Sequence, residues 1–362
     1  MQDEIDTLLS DSPNLRAKEI AKKLGLPKSQ VSSYLHTQKG HRYLQNADFE
    51  WTLLRSPRKT LTLSPGWLSG DDFEDDFCQA GSLFDDSVKL VDIVCSEGCR
   101  PMIDAVAKIL ALANQLADKG TSVTLDFSES TNSLSYLNRA GFFDLLDRRI
   151  DVLPRFPKVS SAQTYEGNSA TLAEFARVEV SQDNSKLKET LTQKFVAQTS
   201  DKYRMAAFTI FGELIENVKE HSKANLPGFA ASQKYRGQRK HIKAVVSDNG
   251  IGIAETLRSA LKQHHPALFK RYGEATKEND VALVIEAMSK GRISRKGREG
   301  GLGFHSSKEY AMKFNAEFTV RQNNFLLRFD FREGELANVI ERKDLPYLCG
   351  THICFDFFIG KE

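Results

Sequence analysis

Glu213-Leu214-Ile215-Glu216-Asn217 places two carboxylates and an amide inside an apolar pattern of helical period. Around it Phe208, Phe211, Leu214, Ile215 and Val218 recur at helical spacing, which predicts a helix from near Asp201 to His221 with those five on its buried side. Glu213 and Asn217 then share a face, one turn apart, beside the apolar stripe. A carboxylate can act as a base toward water, and an amide oxygen can ligand a hard cation such as Mg²⁺. Two later segments give the pair its meaning. The apolar strand pattern His241 to Ser247 ends in Asp248-Asn249-Gly250-Ile251-Gly252, where Gly250 and Gly252 permit a close backbone approach or a positive φ. After a long polar stretch, Gly300-Gly301-Leu302-Gly303 opens a predicted helix, and such glycines can leave backbone N–H groups pointing at phosphate.

The composition places this within a soluble, multidomain chain. There are 362 residues, enough for two or three domains, with 40% hydrophobic and 27% charged residues and a net charge of +2. No apolar run approaches the roughly 20 residues that span a bilayer. The acidic start, Met1 to Asp6, lacks the apolar core of a signal peptide. The five cysteines carry no Cys-x-x-Cys pair, so reduced cytosolic thiols are expected rather than zinc ligands.

Residues 1–60 read as a small helical module. Ile5, Leu8 and Leu9 mark one helix, Leu15, Ile20, Ala21 and Leu24 a second that stops at Gly25, and Val31, Tyr34 and Leu35 a third that starts near Pro27. The third would expose Lys28, Ser29, Gln30, Ser32 and Ser33. With Lys22 and Lys23 these offer phosphate-neutralising cations beside polar base-reading groups. Arg42 to Leu54 alternates loosely, as a wing hairpin would. The pattern resembles winged helix-turn-helix domains of bacterial regulators, which implies DNA as a partner; a winged helix that docks another protein or subunit is the alternative.

Residues 61–87, with Asp71-Asp72-Phe73-Glu74-Asp75-Asp76-Phe77, read as an acidic linker. Residues 88–155 alternate strand and helix, with an amphipathic helix from Ile103 to Leu116, and imply a small α/β module. Val-Thr-Leu-Asp-Phe-Ser at 123–128, followed by a Ser-rich helix start, resembles STAS-like domains found near regulatory ATPases, which implies a protein-docking role.

Over residues 156–362 the order Glu-x-x-x-Asn, Asp-x-Gly-x-Gly, Gly-Gly-Leu-Gly and finally Gly350-Thr351 on a late strand resembles the GHKL ATPase superfamily. The resemblance implies an α+β multidomain chain with a C-terminal Bergerat-type α/β sandwich. It implies ATP and Mg²⁺ as ligands, Asn217 holding the metal and Asp248 accepting from the adenine amino group. Gly250 and Gly252 would line the base pocket, Gly300, Gly301, Leu302 and Gly303 the phosphates, and Thr351 would support the adenine. Glu213 would activate water. His221, Arg295, Lys296 and Arg298 are candidate phosphate contacts. The resulting expectation is a cytoplasmic, dimeric regulator that hydrolyses ATP slowly and whose nucleotide state controls DNA or partner binding. A serine protein kinase of the anti-sigma-factor type and a non-catalytic ATP-sensing transcriptional regulator remain open beside it.

Overall fold

In a computed structural model the described residues are 1–39, 42–53, 58–179, 183–221, 226–237, 239–290 and 304–359. The chain begins with α1 (Gln2–Asp11), β1 (Leu15–Arg16), α2 (Ala17–Leu24) and α3 (Lys28–Thr37), followed by the hairpin β2 (Tyr43–Gln45) and β3 (Glu50–Leu53). Gly25 ends α2 in the left-handed conformation at φ 66°, which a residue without Cβ adopts at no steric cost. Strand order β1-β3-β2 closes a three-stranded sheet against the helices. Ile5, Leu9, Ile20, Val31, Leu35, Tyr43 and Trp51 form a core of their own.

The segment expected to be a linker is folded. It contributes β4 (Arg58–Leu63), β5 (Gly66–Leu68) and α4 (Gly70–Ala80). Ser69 and Asp72 form a capping box that starts α4, and Phe73 and Phe77 on its inner side are fully buried. Acidity suggested solvent, but Glu74 and Asp76 are buried as well. Asp76 accepts from the Ser64 backbone at 2.8 Å and from its hydroxyl at 2.6 Å, while Glu74 meets Lys108 at 2.7 Å and Arg321 at 3.1 Å. Those partners, rather than water, hold the charges.

The layer continues with β6 (Leu90–Cys95), β7 (Cys99–Pro101), α5 (Ile103–Asp118), β8 (Ser122–Asp126), α6 (Thr131–Ala140), α7 (Phe142–Leu145), β9 (Asp151–Leu153) and α8 (Ser161–Thr164). Strands β4-β6-β8-β9 form a parallel sheet in that order, so the expected α/β module begins with β4, upstream of residue 88. Helix α5 was expected to be amphipathic; instead every residue from Ile103 to Ala117 is buried. It lies between two sheets and has no solvent face.

The second sheet follows. Its elements are β10 (Leu172–Val178), α9 (Ser185–Gln198), α10 (Arg204–His221), β11 (Gly228–Tyr235), β12 (His241–Asp248), α11 (Ile253–His264), α12 (Pro266–Tyr272), α13 (Lys277–Lys290), α14 (Phe304–Lys313), β13 (Glu317–Asn323), β14 (Phe325–Arg332), β15 (Glu335–Arg342) and β16 (Leu348–Phe358). The long polar stretch expected after Gly252 is therefore largely helical; Leu257, Leu261, Leu283 and Val284 bury its apolar side. Seven antiparallel strands run in the order β10-β11-β12-β16-β13-β14-β15. Alternation along β12 and β16 sends Ala244, Val246, Ile353 and Phe355 into a core with α10 and α11. Val245 and Leu348 join the core that contains α5 and the parallel sheet. Among the described residues, one core thus runs from the parallel sheet past residue 156 to Leu172, Phe175 and Phe229 of the second sheet.

On α10 the buried stripe comprises Ala207, Phe211, Leu214, Ile215 and Val218. Phe208, expected among them, is 44% exposed and lies under the Lys188 ammonium, 3.4 Å from its ring centroid. Among the described residues no helix is long and apolar enough to cross a membrane.

Candidate functional site

Four of the residues singled out in the sequence line one pocket. It lies between α10, the end of β12, the start of α11 and β16, and its wall includes Asn217, Asp248, Gly252 and Thr351 beside Leu214 and Val218. It is a narrow cleft, and the empty space of about 390 Å³ around it includes open solvent. The register of the sheet makes this convergence: Asp248 pairs directly with Thr351 across β12 and β16. Two glycines permit it. A Cβ on Gly350, at φ 89°, would come within 2.0 Å of the Asp248 carbonyl, and one on Gly252, at φ 84°, would meet the Gln322 side chain at 2.7 Å.

Asp248 is the unusual group in this pocket. Burial pushes its carboxyl up to about 6, against hydrogen bonds from the Gly250 and Thr351 backbone and from the Thr351 hydroxyl, which favour the charged form. The Gly250 N–H donates to Oδ1 at 2.6 Å. Such an acceptor at the end of an apolar cleft suits the amino edge of a flat, mostly apolar ligand.

Glu213 and Asn217 are both half-buried on α10, but only Asn217 lines the pocket. Glu213 accepts through Oε2 from the Ser307 backbone N–H at 3.0 Å and from the Ser307 hydroxyl, in the first turn of α14. The bond ties α10 to the start of α14. Gly250 adjoins the pocket through its bond to Asp248. Gly300, Gly301, Leu302, Gly303, Arg295, Lys296 and Arg298 lie outside the described residues, as does the side chain of His221.

Two glutamines that no sequence pattern singles out support the pocket from behind. Gln115 of α5 donates from Nε2 to Asn249 Oδ1 at 2.6 Å and to the Cys349 carbonyl at 2.9 Å, and accepts from the Cys349 N–H at 2.9 Å. One side chain thus holds the residue after Asp248 and the turn before Thr351. Gln322 accepts from the Ile253 N–H at 2.9 Å and the Ala254 N–H at 3.3 Å, capping α11. Neither glutamine belongs to a local motif; their partners lie far away in the chain.

At the other end of the chain, Lys22, Lys23, Lys28, Ser29, Gln30 and Ser33 are exposed and Ser32 is half-exposed, while Val31 and Leu35 anchor the opposite side of α3. Arg42 is not available to a partner in the same way, because it is bound to Asp6 of α1. Residues 5–48 match the IclR helix-turn-helix domain. The N-terminal module is an IclR-type helix-turn-helix, a DNA-binding domain. In this helix-turn-helix α3 has the place of the reading helix, with its polar face free. None of the curated proteins matches the chain.

Proposed function

We propose that this chain is a cytoplasmic DNA-binding transcriptional regulator whose C-terminal half senses an adenine nucleotide. The observation that carries the reading is the pocket in which Asn217, Asp248, Gly252 and Thr351 converge around a buried carboxylate. Its likeness to the GHKL arrangement supports ATP as the ligand. Asp248 would accept from the adenine amino group and Thr351 would hold Asp248 in place. Mg²⁺, when bound, would neutralise phosphate charge. The Asn217 amide oxygen fits it as a ligand, being half-buried on the pocket wall.

Sensing is preferred to hydrolysis because Glu213, the candidate base, is engaged at the start of α14. Phosphate competing for the same N–H groups would displace that carboxylate and so distinguish bound from free states. The parallel-sheet layer, joined to the sensor through α5, would carry the difference to a protein partner or to a second copy of the chain.

The test is DNA affinity of the full chain, by fluorescence anisotropy, with and without a non-hydrolysable ATP analogue. The analogue should change the affinity, and Asp248→Ala should remove that change. Glu213→Ala should keep analogue binding. An affinity indifferent to the analogue sinks the sensor reading. Phosphate release by the purified chain, lost in Glu213→Ala, would favour the ATPase instead; labelled protein from γ-labelled ATP would favour the serine kinase.

A further inference from the structure

Strands β5 and β7 lie side by side near the end of β11, with Trp67 paired across from Arg100. The Trp67 ring is 64% exposed, a large flat apolar surface left to solvent. It begins a chain of rings. Trp67 touches Tyr235, Tyr235 touches His241 and His241 stacks on Phe358, with centroids 6.3, 5.0 and 6.0 Å apart. Cations flank both ends. The Arg100 guanidinium faces the Trp67 ring at 5.9 Å, and that of Arg239 lies 3.7 Å from the centre of the Phe358 ring. Arg236 and Lys240 are exposed in the same turn between β11 and β12. Among the described residues, no carboxylate pairs with any of these four cations. Asp356, beside the rings, is held by His241 at 2.7 Å.

A groove of about 220 Å³ opens next to Trp67. Trp67 and Pro101 give it apolar surface, and Arg100, Asn132, Tyr136 and Gln233 give it polar groups. The Tyr136 hydroxyl donates to Gln233 Oε1. The Gln233 amide nitrogen is then a donor without an acceptor among the described residues, and the Asn132 side chain is exposed. Such a groove suits one flat ring with a polar edge, its face on Trp67 and its edge toward the amides. A base locked in a duplex cannot offer its face. The cations continue past the groove to the β11–β12 turn, which calls for repeated negative charge. Flat rings with a phosphate at each step are the chemistry of a single nucleic-acid strand. An acidic peptide would meet the cations and leave the Trp67 face unused. The helix-turn-helix of this chain is a DNA-binding domain, so DNA is the strand present at high local concentration.

We propose that Trp67, Arg100 and the β11–β12 turn form a second nucleic-acid surface, specific for single-stranded DNA. A base stacks on Trp67, and phosphates are seated on Arg100, Arg236, Arg239 and Lys240. The surface makes no use of the nucleotide pocket and stands whether or not that pocket binds ATP.

The test is fluorescence anisotropy of the full chain with a labelled oligo-dT strand of about twelve nucleotides. Thymine lacks the adenine amino group that Asp248 would take. The chain carries Lys22→Glu, Lys23→Glu and Lys28→Glu, which disables the reading helix, and oligo-dT binding should persist. In that background Trp67→Ala should weaken binding about tenfold, and Trp67→Phe should restore most of it. Arg236→Glu with Arg239→Glu should weaken it too, and flatten its salt dependence by roughly 0.7 per lost phosphate contact. Circular dichroism confirms that each variant folds. Loss of oligo-dT binding with the three lysines overturns the inference, as does binding unchanged by Trp67→Ala. Equal affinity for an oligo-glutamate peptide, or tighter binding of oligo-U than of oligo-dT, overturns it as well.

Discussion

On one face of the seven-stranded sheet, Ala244, Val246, Ile353 and Phe355 meet α10 and α11 in an apolar layer, with Asp248 at its edge. On the other, Lys243 binds Asp104 of α5 at 2.6 Å, and Ser247, His352 and Asp356 lie on the same polar face. The same strands make both, because successive side chains point to opposite faces. A carboxylate in an apolar cleft with hydrogen bonds but no cation beside it is costly, as its raised pKa shows. A carboxylate locked to lysine or arginine is a structural fastener. Burial is common to both faces; partnership is what differs.

The strongest break of this comparison is Glu74→Ala on the charged face. It strands Arg321, which is fully buried, and Lys108, and should cost about 3–5 kcal/mol in urea unfolding. A loss near zero would mean that the fastener carries nothing. On the apolar face, Asp248→Ala should lower affinity for an ATP analogue about tenfold or more, read by calorimetry. The pH dependence sharpens that prediction. Asp248 titrates at about 6, above its usual range, so the acceptor is lost as pH falls through 6 and analogue affinity should fall with it. The stability linkage has the opposite sign. The raised carboxyl favours folding below the ordinary carboxylate range, and that contribution is lost as pH rises through about 6.

Gln115→Leu tests whether the faces communicate. It unbonds the Asn249 amide oxygen and the Cys349 backbone, and should cost about 1–3 kcal/mol of stability while weakening the ATP analogue several-fold. Unchanged analogue affinity would leave Gln115 a packing residue only. The smallest effect on either face is expected from Lys22→Glu, Lys23→Glu and Lys28→Glu together. These should weaken DNA binding and flatten its salt dependence by roughly 0.9 per lost phosphate contact, with nucleotide affinity untouched.

Local signals carried the legible part of the molecule. Gly25 and the apolar spacing of α2 and α3 announce the helix-turn-helix, and the strand ending at Asp248 and the glycines after it announce the pocket. What stayed hidden depends on partners distant in sequence. Residues 70–80 look like a solvated acidic stretch until Arg321 arrives beside Glu74, 247 positions away. Helix α5 looks amphipathic because Asp104, Lys108 and Gln115 are polar, yet each is satisfied in part by the neighbouring sheet or α4. Phe208 fits the helical period but falls at the edge of the stripe, where a lysine covers it.

Helix α5 is buried on every side, and it fills the gap between a parallel and an antiparallel sheet. A fragment beginning after it would leave Phe229, Val245 and Leu348 facing water without their cover. The two sheets should then melt in a single transition, while the N-terminal module, with its own core, can be cut away and still fold. Unfolding should then be seen as two events, one for the N-terminal module and one for the two sheets together.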